Sequence, residues 1–277
     1  MTERLDLHWR ATCDPAEPFL ADHRPGGHPL LGTVGNLEMI AVGLAARVPH
    51  GRIVAIDDIS LGPPLIFASD SPQTLDIAAE TRADGVIHAR SFSAAAPAAP
   101  HLEAGFRFAR QFAPAPAFVA PDPGPAAVTA AEVYAVLFHG PAFRMIDRAA
   151  FVGATVVATS VASLPPLHSH KTASPLAPRA IEFGLQSAGL LQLALDGSMA
   201  IPSRIEHIAR FAETDVGMGV PLHSIAERTP DGRFTITVGA DGATIVRIAG
   251  YATIPLPFAH DDRAASALAE RLTKGPR

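Results

Sequence analysis

Cysteine occurs once in the 277 residues, at Cys13, which rules out an intramolecular disulfide framework and any cysteine-based zinc cluster. No motif surrounds it, so it reads as an inert, semi-buried thiol. Lysine is nearly as scarce, at Lys171 and Lys274 only, and arginine supplies the remaining basic charge. With 22 basic against 27 acidic residues the formal net charge is −5, which lacks the clustered positive charge that general nucleic-acid binding needs. Arginine in place of lysine, with abundant Ala and Pro, reads as the product of a GC-rich bacterial gene. An uncharged apolar run is also missing. The opening residues, Met1 to Arg10, carry charge where a signal peptide is apolar, and no later stretch reaches membrane-spanning length. A cytoplasmic protein with no membrane partner is expected.

What is present is core-forming material. Hydrophobic residues make up 48% of the chain, enough for one large domain or two smaller ones. Residues 4–10 alternate and read as an opening strand. A polar, glycine-rich turn at Asp22–Gly32 then runs into a helix reaching Arg47, with Leu37, Ile40, Leu44 and Val48 at helical spacing. Val34, Met39, Ala41, Val42 and Ala45 make the rest of this helix so apolar that it should be enclosed nearly all round. Strands follow at about 53–60, 64–69, 73–80, 84–93 and 101–112, separated by turn residues such as Gly62-Pro63-Pro64 and Asp84-Gly85. One buried helix followed by short strands implies an α+β unit in which an antiparallel sheet curls round the helix.

Residues 113–127 hold too many prolines for a helix or a ladder and read as extended linker. The architecture then repeats loosely. A short element lies at 129–137, a loop at Phe138–Phe143, and a β-branched run at Val152–Val161. A second apolar helix spans Pro178 to about Leu195, and strands close at roughly 201–212, 220–228, 233–239 and 244–255. Pro178 suits the first helical position. The expected division is 1–112, linker 113–127, 128–260 and a charged tail 261–277, the tail an exposed helix or a linker. His168 and His170 are metal-ligand residue types without a third ligand and read as a solvated loop.

Two places carry chemistry. At the first, Gly26, Gly27 and Gly32 let the backbone approach a ligand, and free N–H groups at the start of the helix, from Gly27 to Val34, can hold a developing oxyanion beside His23. At the second, Glu182 and Gln186 stand one helical turn apart on one face of an otherwise apolar helix. Burial there should favour the neutral carboxyl and fit Glu182 to donate a proton near neutral pH. Each has a bland counterpart: the glycines as a turn, and Glu182 with Gln186 as a buried polar pair satisfying each other.

His23-x-x-x-Gly27 resembles the His-x-x-x-Gly-x-x-x-x-Pro motif of polyketide synthase dehydratase domains, with Gly32 where the motif ends in Pro, a change that should loosen the turn. Pro178-Arg-Ala-Ile-Glu-Phe-Gly-Leu-Gln186 resembles the family's second motif, with Glu182 where Asp is usual. Phe138-His-Gly-Pro-Ala-Phe143 is similar to its Tyr-Gly-Pro-x-Phe loop, with His139 in the place of Tyr. His28-Pro-Leu-Leu-Gly32 also looks like a string of such domains but is out of place, so the match is accidental. The variations are closest to dehydratases of iterative, polyunsaturated-fatty-acid or enediyne-type synthases. The resemblance implies a double hotdog, two long buried helices each wrapped by an antiparallel sheet. It also implies elimination of water from a 3-hydroxyacyl thioester, giving a 2-enoyl thioester in polyketide or fatty-acid biosynthesis.

In that reaction neutral His23 would take the C2 proton, and protonated Glu182 would assist departure of the 3-hydroxyl. Gln186, Gly27, Gly32, Val34, His139, Gly140, Pro141 and Phe143 would support or line the site, with His139–Phe143 shaping a tunnel rather than donating a proton. No metal or redox cofactor is required, the substrate arriving on the phosphopantetheine of an acyl carrier protein. Other polyketide synthase domains and a second copy of the chain are implied partners. Arg24, Arg179, Arg204 and Arg210 would either meet the acidic carrier or be ordinary surface. The residues leave open a same-fold cyclase or isomerase and a catalytically silent acyl-binding scaffold.

Overall fold

The computed structural model describes residues 6–48, 51–119, 122–169, 174–240, 242–258 and 261–274. The first half runs β1 (Asp6–Cys13), α1 (Pro18–Ala21), β2 (Leu30–Leu31), α2 (Thr33–Ala45), β3 (Arg52–Leu61), β4 (Leu65–Ile66), β5 (Gln73–Thr81), β6 (Ile87–Ser93) and β7 (Leu102–Ala109). The second runs β8 (Val128–Thr129), α3 (Ala130–Tyr134), β9 (Ile146–Val152), β10 (Thr155–Ser160), α4 (Pro178–Asp196), β11 (Ala200–Arg210), β12 (His223–Arg228), β13 (Phe234–Ala240), β14 (Ala243–Pro255) and α5 (Asp262–Lys274). Twelve strands form one antiparallel sheet in the order β1-β5-β6-β7-β3-β11-β14-β13-β12-β10-β9-β8, while β2 and β4 pair separately. This is the double hotdog. Strands β3 and β11 weld the halves, with Ile59 opposite Ile205 and Ile56 opposite Ile208, all four buried.

Helix α2 packs into the curl of the first half and α4 into that of the second, and the two helices touch. In α2, Leu37, Ile40, Ala41 and Leu44 are fully buried; Gly43 is there because a Cβ would strike the Trp9 indole of β1. The helix is less enclosed than its composition suggests. Val42 is 39% exposed and Ala45 is also exposed, and just past the end of the helix the Arg47 guanidinium lies over the Trp9 ring. Helix α4 is buried on all sides through Leu193 except at Gly189 and Gln192. It starts at Pro178 after Ala177 in the left-handed region (φ 63), and Asp215 caps it from a distant loop, accepting from the Ala180 N–H at 2.6 Å and the Arg179 N–H at 3.3 Å. Also buried in α2 is Glu38, whose carboxyl burial and the neighbouring Asp215 push up to about 7.

Several expected elements shift. Strand β9 has β-branched residues only at its ends, Ile146 and Val152, and forms because β10 pairs with it across the Gly153 turn and β8 along its other edge. The 64–69 run yields only the two residues of β4. Residues 113–127 carry no helix or regular ladder among those described, but they are docked. Phe118 is buried, its N–H bonds the Gly242 carbonyl, and Pro116 accepts from the Thr244 N–H at 2.9 Å. The tail is not a free helix either. Ala265, Leu268 and Leu272 of α5 are buried against α4 and β9, and Arg271 reaches the Ala126 carbonyl and Glu132. His170 and Lys171 lie outside the described residues, as do Pro49, His50, Asp241 and residues 275–277.

Candidate functional site

A polar cluster closes one end of a cavity of about 260 Å³ between the two helices, walled mainly by apolar side chains. His23, Gly32, His139, Glu182 and Gln186 all line it, so the imidazole of the first half and the carboxyl of the second open into one space. Gly27, Val34, Gly140, Pro141 and Phe143 do not line it.

His23 follows α1, where Gly26 (φ 68) and Gly27 (φ 88) turn the chain through the left-handed region. Its Nδ1 donates to the Leu30 carbonyl at 2.8 Å, which fixes the tautomer and leaves the Nε2 lone pair free. Burial, together with His139, lowers its pKa to about 4 against the opposing pull of Glu182, so the ring is neutral near pH 7. The ring lies against Gly32: a Cβ there would sit 2.8 Å from Cε1 and 2.9 Å from Nε2. The backbone at Gly32 (φ −69, ψ 173) suits any residue, proline included, so the glycine serves the imidazole rather than loosening the turn.

Gly32 is also the N-cap of α2 and makes no side-chain cap. The first backbone bond of the helix is from the Asn36 N–H to the Gly32 carbonyl, which leaves the amides of Thr33, Val34 and Gly35 as the donors of the helix start. The Gly27 N–H is spent on the Arg24 carbonyl at 3.1 Å, so Gly27 shapes the turn and offers no oxyanion donor. The Val34 side chain belongs to the core.

Glu182 differs most from expectation. Burial pushes its carboxyl up, but the His139 imidazole at 3.2 Å, His23 and the Gln186 amide at 3.4 Å outweigh it and hold the group below the usual carboxylate range. At rest Glu182 is a carboxylate and not a standing acid. Gln186 is held in turn, its Nε2 donating to the Phe143 carbonyl at 3.0 Å and its Oε1 accepting from the Tyr134 hydroxyl at 2.9 Å. That hydroxyl accepts the Ile146 N–H.

The His139 loop is clasped to the His23 turn. The Gly140 N–H donates to the Asp22 carbonyl and the Ala142 N–H to Asp22 Oδ2, both at 2.7 Å, and His23 and His139 face each other as an isolated bridge. Gly140 is required there because a Cβ would strike the Asp22 carboxylate. Pro141 begins a single tight turn ending at Phe143, whose ring edge approaches His23. Sequence reasoning overlooked Asp22 and Tyr134; the only signal for Asp22 was its place beside His23. Of the four arginines singled out, Arg179 and Arg210 are buried, binding the Pro165 and Ile53 carbonyls, and so cannot meet a partner. Among the described residues no group of three His, Cys, Asp or Glu side chains is placed to hold a metal, and no helix is long and apolar enough to cross a membrane.

Comparison with known proteins bears on this geometry. Residues 2–94 match the family profile described as polyketide synthase dehydratase domain, and residues 113–263 match that of the polyketide synthase dehydratase N-terminal domain. The chain belongs to the polyketide synthase dehydratase family. That family's reaction is removal of water from a 3-hydroxyacyl thioester during polyketide assembly. The chain is also similar to polyketide synthase ThaG of Burkholderia thailandensis, at 29% identity over 265 residues; the match covers 87% of this chain and about 4% of that much longer relative. Among solved structures it shares its fold with a trans-AT dehydratase domain from Brevibacillus brevis (TM-score 0.69, 20% identity, 91% of this chain and 94% of that one). It shares it also with the dehydratase domain of RzxB from Pseudomonas fluorescens (TM-score 0.70, 19% identity, 90% and 94%).

Proposed function

We propose that this dehydratase acts on 3-hydroxyacyl groups held on the phosphopantetheine of an acyl carrier protein, as one domain among others of a polyketide synthase, with His23 as the base. One observation carries the assignment of roles: a neutral imidazole with a free Nε2 and an ionised carboxylate, from opposite halves of the chain, share one apolar cavity. In support, the CurK dehydratase is described as inactive with one His changed to Phe, and again with one Asp changed to Asn. We propose separately that two copies of the chain pair in solution; pairing is not needed for this chemistry and is read by light scattering.

The proton balance follows from the resting states. His23 Nε2 removes the C2 proton while the thioester oxygen gains charge near the first amides of α2. Since Glu182 is ionised, its carboxylate accepts the hydrogen bond of the 3-hydroxyl and holds that oxygen. The imidazolium formed at His23 then returns its proton to the departing hydroxyl on the same face, and water leaves. Over the cycle no proton is exchanged with solvent, and no redox step occurs. General base and electrostatic contributions of this kind are worth roughly 10²–10⁴-fold each.

The test is mass spectrometry of carrier-bound and free 3-hydroxyacyl thioesters of several chain lengths. Loss of one water, abolished by His23→Ala and Glu182→Gln, is expected. An unchanged mass with every substrate would overturn the reading, and conversion to an isomer of equal mass would favour an isomerase or cyclase.

A further inference from the structure

His139 is buried, and its imidazole makes one polar contact, from Nε2 to Glu182 Oε1 at 3.2 Å. Its Nδ1 is buried with no hydrogen-bond partner, which is costly for a ring nitrogen. A phenylalanine would fill the same space, stacked on Phe138 and edge-on to His23, without that cost. The polar capacity of this side chain is therefore directed at a single carboxylate oxygen. The Gln186 amide bonds the same oxygen, at 3.4 Å. Oε2 takes neither bond, and the Glu182 side chain keeps 12% exposure, where it lines the cavity.

We propose that His139 is a positioning residue: by donating to Oε1 it orients the Glu182 carboxylate so that Oε2 faces the substrate hydroxyl. Its own place is set by the Asp22 clasp on Gly140 and Ala142, so the turn that carries His23 also sets the orientation of Glu182. This inference rests on the roles given to His23 and Glu182 above.

A double-variant cycle tests it. Glu182→Asp withdraws the carboxylate by one methylene, out of reach of Nε2. His139→Phe keeps the ring and removes the donor, whereas His139→Gln keeps an N–H donor. Steady-state dehydration of a 3-hydroxyacyl thioester by the full chain should show kcat lowered by about 10- to 100-fold in His139→Phe with KM nearly unchanged, since a misaligned group costs rate rather than binding. His139→Gln should recover most of that loss. Adding His139→Phe to Glu182→Asp should lower kcat by less than about threefold further, because the contact is already broken.

Losses that multiply in the double variant, or a His139→Phe enzyme with wild-type kcat, would overturn the inference. If His139→Phe does not fold, the cycle run with His139→Leu, which also lacks the donor, decides in the same way. A wild-type chain that forms no enoyl product would instead refute the function itself, so the two failures are distinguishable.

Discussion

Substitution at Gly32 separates the packing of the base from the stability of the fold. In Gly32→Ala the new Cβ meets the His23 ring at 2.8–2.9 Å, so the imidazole must back away by roughly half an ångström to reach ordinary contact. The ring is not free to do so: the 2.8 Å bond from Nδ1 to the Leu30 carbonyl holds one side, and Phe138 stands edge-on at the other. A misplacement of about 1 Å can cost on the order of 100-fold in rate, so half that distance is worth about tenfold in kcat.

Stability should move little. Alanine is a slightly poorer N-cap than glycine but reduces the freedom of the unfolded chain, effects of a few tenths to about 1 kcal/mol in opposite directions. The backbone at this position (φ −69) also accepts proline, so Gly32→Pro should lose rate like Gly32→Ala although it completes the family motif. Both variants are assayed by initial rates on a 3-hydroxyacyl thioester and by thermal denaturation. Wild-type kcat in either variant, or a loss of rate that only tracks a fall in Tm, would refute the reasoning.

Four further outcomes follow from the buried groups. His23 has a folded-state pKa of about 4 against the ordinary 6.5, so between these values the unfolded chain binds more protons and stability falls as pH drops. The penalty is about 2 kcal/mol at pH 5, absent from His23→Phe in denaturant titrations at pH 7 and 5. By the same token kcat/KM should rise through the region near pH 4 and stay flat from about pH 6 to 8, whereas a standing Glu182 acid would impose a falling limb. Glu38 is the opposite case. Its pKa is raised from 4.5 to about 7, so the folded state gives up stability as pH rises through that window, and Glu38→Gln should gain on the order of 2–3 kcal/mol relative to wild type between pH 5 and 8. Cys13, fully buried with its thiol pushed up to about 12 by burial, should take no alkylating label in the native protein and one label after denaturation, as read by mass.

Much of this molecule was legible in one dimension because the relevant information is local. Helical spacing of Leu37, Ile40 and Leu44, the Pro178 start of α4 and the glycine turns follow from backbone and side-chain preferences that act within a few residues, and the three motifs were visible as strings. Composition also placed Glu182 inside an apolar helix, and burial alone argued for a neutral carboxyl. What composition could not supply was His139, 43 positions earlier in number, delivering a donor to that carboxyl and reversing the direction of its shift.

Long-range contacts decided the rest. Strand β9 exists because β8 and β10 pair with it, and α5 docks because α4 presents a face for Ala265, Leu268 and Leu272. Gly32 is a glycine for the sake of a ring nine residues away, and Asp22 matters for two amides in the other half of the chain. The sequence by itself determined which segments could be helix, turn or strand and which side chains were chemically able to act, because those properties belong to residues and their neighbours. The protonation states and the alignment of base with carboxylate were decided only by tertiary structure, because desolvation and hydrogen bonding depend on what folding brings alongside.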